Sequence, residues 1–271
     1  MTTVEIVAIG NELLMGDVLD TNTNWLCKRI TGLGGRVTRA VMVGDDLAAI
    51  GREIKAALSR GTDVIFTTGG LGPTADDMTL AAVAQATDRP LELNHQALAM
   101  VQRRYQELAA QGFVADEALT EARRKMAILP RGAKPIFNPV GAAPAVVLEM
   151  AASTLIALPG VPPELMGIFE GPLQPTLEGL FGEGVFVEKV VVVDCQDESV
   201  LAPLLRQVAQ AHPAVYIKSR AKRFGPQVKL RVTLSLAGRQ RAEVERAIDQ
   251  ALRDLGEALA RAGMAIDVVE G

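Results

Sequence analysis

Val64-Ile65-Phe66-Thr67-Thr68-Gly69-Gly70-Leu71-Gly72-Pro73-Thr74-Ala75-Asp76-Asp77 runs from an apolar, strand-forming segment through a glycine turn into residues that begin a helix. A strand that turns through glycines into a helix presents backbone N–H groups and a positive dipole end to an anion, and phosphate is its natural guest. Two adjacent aspartates in the same turn suit a phosphate when a divalent cation sits between carboxylate and phosphate. The same residues also read as a tight turn with one aspartate as the helix N-cap. The stretch has neither the lysine of a Walker loop nor the GxGxxG spacing of a dinucleotide fold, so it matches neither motif.

Outward from this turn, apolar runs alternate with amphipathic ones: residues 4–9, 24–33, 36–43, 48–58 and 63–67 read as β, α, β, α, β. That alternation predicts an α/β fold with a doubly wound, mainly parallel sheet, whose ligands lie beyond the carboxyl ends of the strands. Helices are expected over 76–86, 94–111, with Leu98, Val101, Tyr105 and Leu108 as core, and 116–126; short strands over 135–137, 145–149 and 154–158; and a helix over 164–177. The glycine-rich residues 178–184 suggest a boundary. The expected organisation is a first domain over 1–177, a linker over 178–186 and a small α+β domain over 187–271, with β, α, β, β, α and a last short strand. Its long helix, 241–261, carries Val244, Ile248, Leu252, Leu255 and Leu259 on one stripe.

Composition narrows the function classes. The chain has 271 residues, 49% of them hydrophobic, with net charge -4, which suits a globular protein with a sizeable core. No basic start precedes an apolar middle, and no apolar run approaches the roughly 20 residues of a membrane span, so the expected location is the cytoplasm with no membrane partner. Two widely spaced cysteines and two histidines suggest neither a disulfide framework nor a zinc site, and favour a hard ion held by oxygen. Mild acidity and 4% aromatic residues give no global sign of nucleic-acid binding. The basic turn 218–226 reads first as a solvated surface turn, with nucleic acid or a second nucleotide phosphate as the alternative.

Further loops join the central one. Gly10-Asn11-Glu12 follows the first strand, where Glu12 would meet a metal or a ribose hydroxyl; Asp20 or Asn22 reads either as part of that site or as no more than a cap for the next helix. In the central loop Thr68, Gly69, Gly70 and Gly72 form a backbone cradle, Thr74 supplies a hydroxyl, and Asp76 and Asp77 supply acidic groups. Asn138-Pro139-Val140-Gly141 is a small-residue loop between strands, and Pro159-Gly160 ends another strand ahead of a proline-led helix start in which Glu164 complements the dipole. If the sheet is parallel, these loops gather at one rim.

Taken together, Gly10 to Gly16, Asp20-Thr21-Asn22, Thr68 to Thr79, Asn138 to Gly141 with Ala143-Pro144, and Leu158 to Glu164 resemble the N-terminal part of the competence/damage-inducible protein A (CinA) family, over essentially the whole chain. That family is itself similar to the molybdopterin-binding domains of molybdenum cofactor biosynthesis. The resemblance implies a molybdopterin-binding-like α/β domain followed by a KH-like domain, and a metal-dependent pyrophosphatase cleaving ADP-ribose or a related nucleotide. Asp76, Asp77 and Glu12 would then be catalytic and would orient Mg, Mn or Co. Gly10, Asn11, Thr68, Gly69, Gly70, Gly72, Thr74, Asn138, Gly141, Pro159 and Gly160 would bind the ligand and its phosphate. The alternatives are a molybdopterin-binding role, with Phe137 and Trp25 as the nearby aromatics, and a non-catalytic nucleotide-binding module. Ala142 stands where the family commonly has Thr or Ser. The resemblance does not extend to the C-terminal nicotinamide-nucleotide deamidase domain of full-length CinA, so no deamidase role is implied. With the apolar stripe on the last helix, it is compatible with a homodimer.

Overall fold

The computed structural model describes residues 1–182, 184–195, 197–220, 229–238 and 240–269. The chain forms two compact units: Thr2–Ile30 with Arg36–Phe181, and the residues from Gly182 onward with Met1 and Thr31–Gly35. In the first unit β1 (Thr3–Ile9) leads through a short helix α1 (Asn11–Met15) and α2 (Thr21–Gly32) to β2 (Arg36–Val43), and α3 (Leu47–Ser59) returns the chain to β3 (Val64–Thr68). Then follow α4 (Thr79–Ala86), β4 (Leu91–Leu93), α5 (His95–Ala110), α6 (Glu121–Lys125), β5 (Ile128–Pro130) and β6 (Lys134–Ile136). The unit closes with β7 (Ala145–Glu149), β8 (Thr154–Leu158), α7 (Pro162–Phe169) and α8 (Gln174–Phe181).

The main sheet has the order β2-β1-β3-β8-β7-β6. Strands β2, β1, β3 and β8 are parallel, and β7 runs antiparallel to both neighbours. This is the expected doubly wound, mainly parallel α/β sheet. From β1 the chain crosses to β2 on one side and returns to β3 on the other, so the strand order reverses between the carboxyl ends of β1 and β3. That is the switch point at which such sheets bind ligands. The sequence accounts for the order: β3 and β8 are buried at every position, as central parallel strands covered on both faces must be, whereas β2 alternates with exposed residues as an edge. Helix α3 covers the sheet with Ile50, Ile54 and Ala57, and Asp46 caps its start by accepting from the Ala49 N–H.

Several boundaries differ from the expectations. Helix α4 begins at Thr79 rather than 76. The single helix expected over 164–177 is two helices, α7 and α8, parted at 170–173, where Pro172 has no N–H to continue the ladder. Only Glu121–Lys125 of 116–126 is helical, started by the Thr120 hydroxyl. The pair β4–β5 and the short α1 carried too weak a pattern to be anticipated.

The second unit contains β9 (Val185–Val193), α9 (Glu198–Ala211), β10 (Tyr216–Arg220), β11 (Leu230–Gly238), α10 (Arg241–Arg261) and β12 (Ile266–Val269). Its sheet, β10-β11-β9-β12, is antiparallel, and with its βαββαβ order it is the split βαβ arrangement. No Gly-x-x-Gly loop of the KH type occurs in residues 182–271. Val244, Ile248, Leu255 and Leu259 of α10 are buried in this unit's own core. The stripe is therefore spent internally and gives no support to a dimer. Of the basic turn 218–226, residues 221–226 lie outside the described residues. Among the described residues no helix is long and apolar enough to cross a membrane.

One ionisable side chain is buried within the strands of the first unit. Glu5 in β1 is 4% exposed. It accepts from Arg60 Nε and Nη2 at 2.8 and 2.6 Å, and from the Thr62 hydroxyl at 2.6 Å. The Arg60 hydrogen bonds, helped by Thr62, hold its carboxyl below the usual glutamate range against the opposing effect of burial. A lowered folded-state value gives stability that is present above the ordinary glutamate value and is lost as pH falls through the depressed one. Glu5→Gln should therefore cost about 1–3 kcal/mol at pH 7 and flatten the acid limb; urea unfolding at neutral and acidic pH measures both.

Candidate functional site

A cavity of about 540 Å³ lies at the carboxyl ends of β1, β3 and β8 and the start of β7, within the first unit. Its shape begins with Gly69, at φ +104°, where an added Cβ would stand 2.2 Å from the Ile9 carbonyl oxygen. Only glycine lets the loop after β3 cross the end of β1 this closely. Hydrogen bonds then fix the crossing. The Gly69 N–H donates to the Leu158 carbonyl at 3.0 Å, and the Thr79 hydroxyl donates to the Gly69 carbonyl at 2.8 Å. Buried Asn22 donates through Nδ2 to the Gly160 carbonyl at 2.7 Å and to the Thr68 hydroxyl at 3.0 Å, and Thr68 in turn donates to the Pro159 carbonyl at 3.3 Å.

Thr68 is thus a buried latch between loops and does not line the cavity. The Gly69 amide is committed to β8, so it is no part of an anion cradle. The amides of Gly70, Leu71 and Gly72, and of Gly160 and Val161, enter no hydrogen bond among the described residues, and all five residues line the cavity. Pro159 and Gly10 also line it.

The aspartates do not begin a helix. The cap position of α4 is Met78, with no side-chain bond. Asp77 Oδ2 instead accepts the Thr74 N–H at 2.8 Å and faces the Thr74 hydroxyl at 2.6 Å, and Asp76 Oδ1 lies against that same hydroxyl. One hydroxyl proton cannot serve both carboxylates. The Thr74 hydroxyl is therefore occupied by carboxylates rather than free for phosphate. Hydrogen bonding from Thr74, its own backbone N–H and the charge of Lys125 hold the Asp76 carboxyl below the usual range. Lys125 clamps the turn through the carbonyls of Thr74 and, at 2.6 Å, Asp77. Asn11 lies outside the lining; it exchanges hydrogen bonds with Asp45, giving its N–H to Oδ2 at 2.8 Å and accepting the Asp45 N–H at 3.2 Å. Asp20 caps α2 by accepting the Thr23 N–H at 2.9 Å.

On the opposite wall Asn138 is buried and fully bonded. Its Oδ1 accepts the N–H groups of Val140 and Gly141 at 3.0 and 2.8 Å, and its Nδ2 donates to the Ala143 carbonyl at 2.9 Å and to Glu164 Oε2 at 2.7 Å. A Cβ on Gly141 would come within 2.1 Å of the Glu164 carboxyl carbon. Asn138 and Gly141 therefore shape the wall and place Glu164 without lining the cavity themselves. Burial pushes the Glu164 carboxyl above its usual range, opposed by the Asn138 hydrogen bond and the charge of Arg104. Neither expected aromatic lines the cavity: Trp25 packs edge-on against Phe169 at 5.1 Å, and Phe137 lies under Arg103. Tyr105 does line it, with the Arg123 guanidinium 3.9 Å from its ring centroid.

The lining contains the carboxylates Glu12, Asp45, Asp76, Asp77 and Glu164, and no lysine, arginine or histidine. Among the described residues no three of His, Cys, Asp and Glu converge as a ready metal site, so Glu12, Asp76 and Asp77 share the cavity without forming one cluster.

Residues 5–179 match the model of the probable molybdopterin binding domain. The chain belongs to the molybdopterin-binding domain family. A protein of Aeropyrum pernix is 43% identical over 93% of both chains, and one of Pyrococcus horikoshii is 39% identical over 82% of this chain and 85% of its own. The crystal structure of CinA from Thermoplasma acidophilum, titled as of unknown function, is 34% identical, with TM-score 0.59, over 65% of this chain and 99% of its own. The first unit is thus a CinA-like molybdopterin-binding domain.

Sequence reasoning missed Asp45, Tyr105 and Glu164. Glu164 carried a readable signal, a carboxylate two residues past Pro162 in a strand-turn-helix loop like the other two. For the crossing itself, Gly69→Ala should destabilise this domain by at least about 2 kcal/mol, since left-handed strain adds to a backbone clash. Gly16→Ala, at φ +79° with nothing within 4 Å, should cost only about 1–2 kcal/mol of strain. Thermal unfolding of the two variants side by side checks the difference.

Proposed function

We propose that the cavity binds the phosphate of a molybdopterin-type phosphorylated pterin, with a divalent cation between that phosphate and the acidic lining. The observation that carries this reading is the lining itself, with five carboxylates, uncommitted loop amides and no basic side chain. A phosphate entering such a cavity would be repelled unless a cation entered with it. The amides of Gly70, Gly72 and Gly160 supply hydrogen bonds suited to phosphate oxygens. Glu12, Asp76 and Asp77 are hard oxygen donors that fit Mg, Mn or Co. Mg characteristically takes one or two carboxylates and completes its shell with phosphate and water, so a three-carboxylate cluster is not required. When bound, such an ion offsets phosphate charge and lowers the pKa of a coordinated water. Family membership supports the pterin as the ligand.

A second reading is cleavage of the phosphoanhydride of ADP-ribose or a related nucleotide, with Asp76, Asp77 and Glu12 as catalytic carboxylates. The exposed Asp76, held ionised beside Thr74, supports it. A third is nucleotide binding without turnover. Calorimetry with a phosphorylated pterin and with ADP-ribose, each with Mg and with chelator, separates them. The expected result is pterin binding that weakens at least about tenfold, or 1.4 kcal/mol, on chelation and in Asp77→Asn. Equal pterin affinity in chelator would sink the bridging cation. Release of AMP and ribose phosphate from ADP-ribose without pterin binding would install the second reading.

A further inference from the structure

The geometry points to Glu164 as the residue that reads the ring of the ligand, selecting a heterocycle with adjacent N–H donors, such as the 2-amino-4-oxo edge shared by pterins and guanine. The inference rests on the phosphate reading above and adds to it the identity of the other end of the cavity. Strands β1, β3, β8 and β7 are successive neighbours, so the ends of β1 and β7 stand three strand spacings apart, roughly 14 Å. Glu12 and Asp45 belong to the β1 and β2 end, the glycine amides lie between, and Glu164 belongs to the β7 end with Ala142 and Ala143. A phosphate held at the first two places its ring toward the third.

That end is built differently from the phosphate end. Tyr105 is part of the cavity lining, and the preceding residue, Arg104, bonds the Gly141 carbonyl at 3.1 Å, tying α5 to the wall on which Glu164 lies. Asn138 takes Glu164 Oε2 and the glycine at 141 leaves room for the carboxyl, so its orientation is fixed before any ligand arrives. Oε1 accepts no hydrogen bond among the described residues. A fixed carboxylate with an unused oxygen accepts N–H groups and repels ring nitrogens that are themselves acceptors. Guanine and pterin offer an N–H beside an exocyclic amine on one edge. Adenine offers an amine beside an acceptor nitrogen, and hypoxanthine lacks the amine.

Calorimetry with Mg and the series GMP, IMP and AMP tests this, with a phosphorylated 6-hydroxymethylpterin as the pterin probe and inorganic pyrophosphate as the ring-free one. Wild-type protein should bind GMP and the pterin at least about tenfold more tightly than IMP and AMP. In Glu164→Gln the GMP to IMP ratio should fall to within about threefold. Equal wild-type affinities for GMP and IMP while pyrophosphate binds would overturn the ring assignment and leave the phosphate reading standing. So would an undiminished ratio in Glu164→Gln. If wild type binds neither pyrophosphate nor any phosphorylated ring, both readings fall. The wild-type series decides the matter even if the variant does not fold.

Discussion

The loop after β3 lies across the end of β1 only because residue 69 has no side chain, and the candidate site depends on that crossing. With Cβ excluded by the Ile9 carbonyl, the Gly69 amide reaches Leu158 in β8 and its carbonyl meets Thr79 at the start of α4. Three consecutive strands of the sheet, β1, β3 and β8, are thereby joined at their carboxyl ends by backbone contact rather than by side-chain packing. The topological switch between β1 and β3 opens a crevice in any doubly wound sheet. Here the crossing narrows that crevice and turns the following amides, from Gly70 to Gly72, away from internal partners.

What fills the rest of the wall is negative charge. Carboxylates come from the short helix α1 after β1, from the loops after β2 and β3 and from the first turn of α7, and small residues make room for them: Gly72 for Asp77 and Gly141 for Glu164. Such a concentration without a basic side chain in the lining disfavours a bare anion, which is the electrostatic ground for the proposal that a phosphate would enter together with a cation. Asp76 and Asp77 illustrate the same point locally. They converge on a single Thr74 hydroxyl, which can satisfy only one of them, and the turn stays closed because Lys125 holds its carbonyls from outside the cavity.

The architecture was legible because it rests on local pattern. Unbroken apolar runs ending in glycine turns predict buried parallel strands, and the four loops singled out do contribute to one rim. What the sequence could not convey is which atoms of those loops face inward. Thr68, Asn138 and the Gly69 amide have the chemistry of ligand contacts, yet each is consumed in joining one loop to another. Tyr105 sits at helical spacing among core residues, and only the position of α5 against the 138–143 loop brings it to the cavity. Asp45 precedes a true N-cap, Asp46, and is indistinguishable from it without the fold. The pair Asp76-Asp77 looked like a helix start because a glycine-rich turn gave no means of counting residues to Thr79.

The division of labour among the polar residues follows from their hydrogen-bonding capacity. Asparagine offers both donors and acceptors, so Asn22 and Asn138 can each satisfy several groups in the interior of a loop cluster, and both are buried where they do so. An ionised carboxylate can only accept, so one that faces the cavity offers its unused oxygen lone pairs to a cation or an N–H donor from outside the chain. Scaffold and recognition are therefore carried by different residue types, and the scaffold does not prescribe the reaction. The asparagine-latched loops do not by themselves favour a pterin phosphate over a dinucleotide; on the proposed reading that distinction falls to carboxylates that line the cavity, Glu12, Asp76, Asp77 and Glu164.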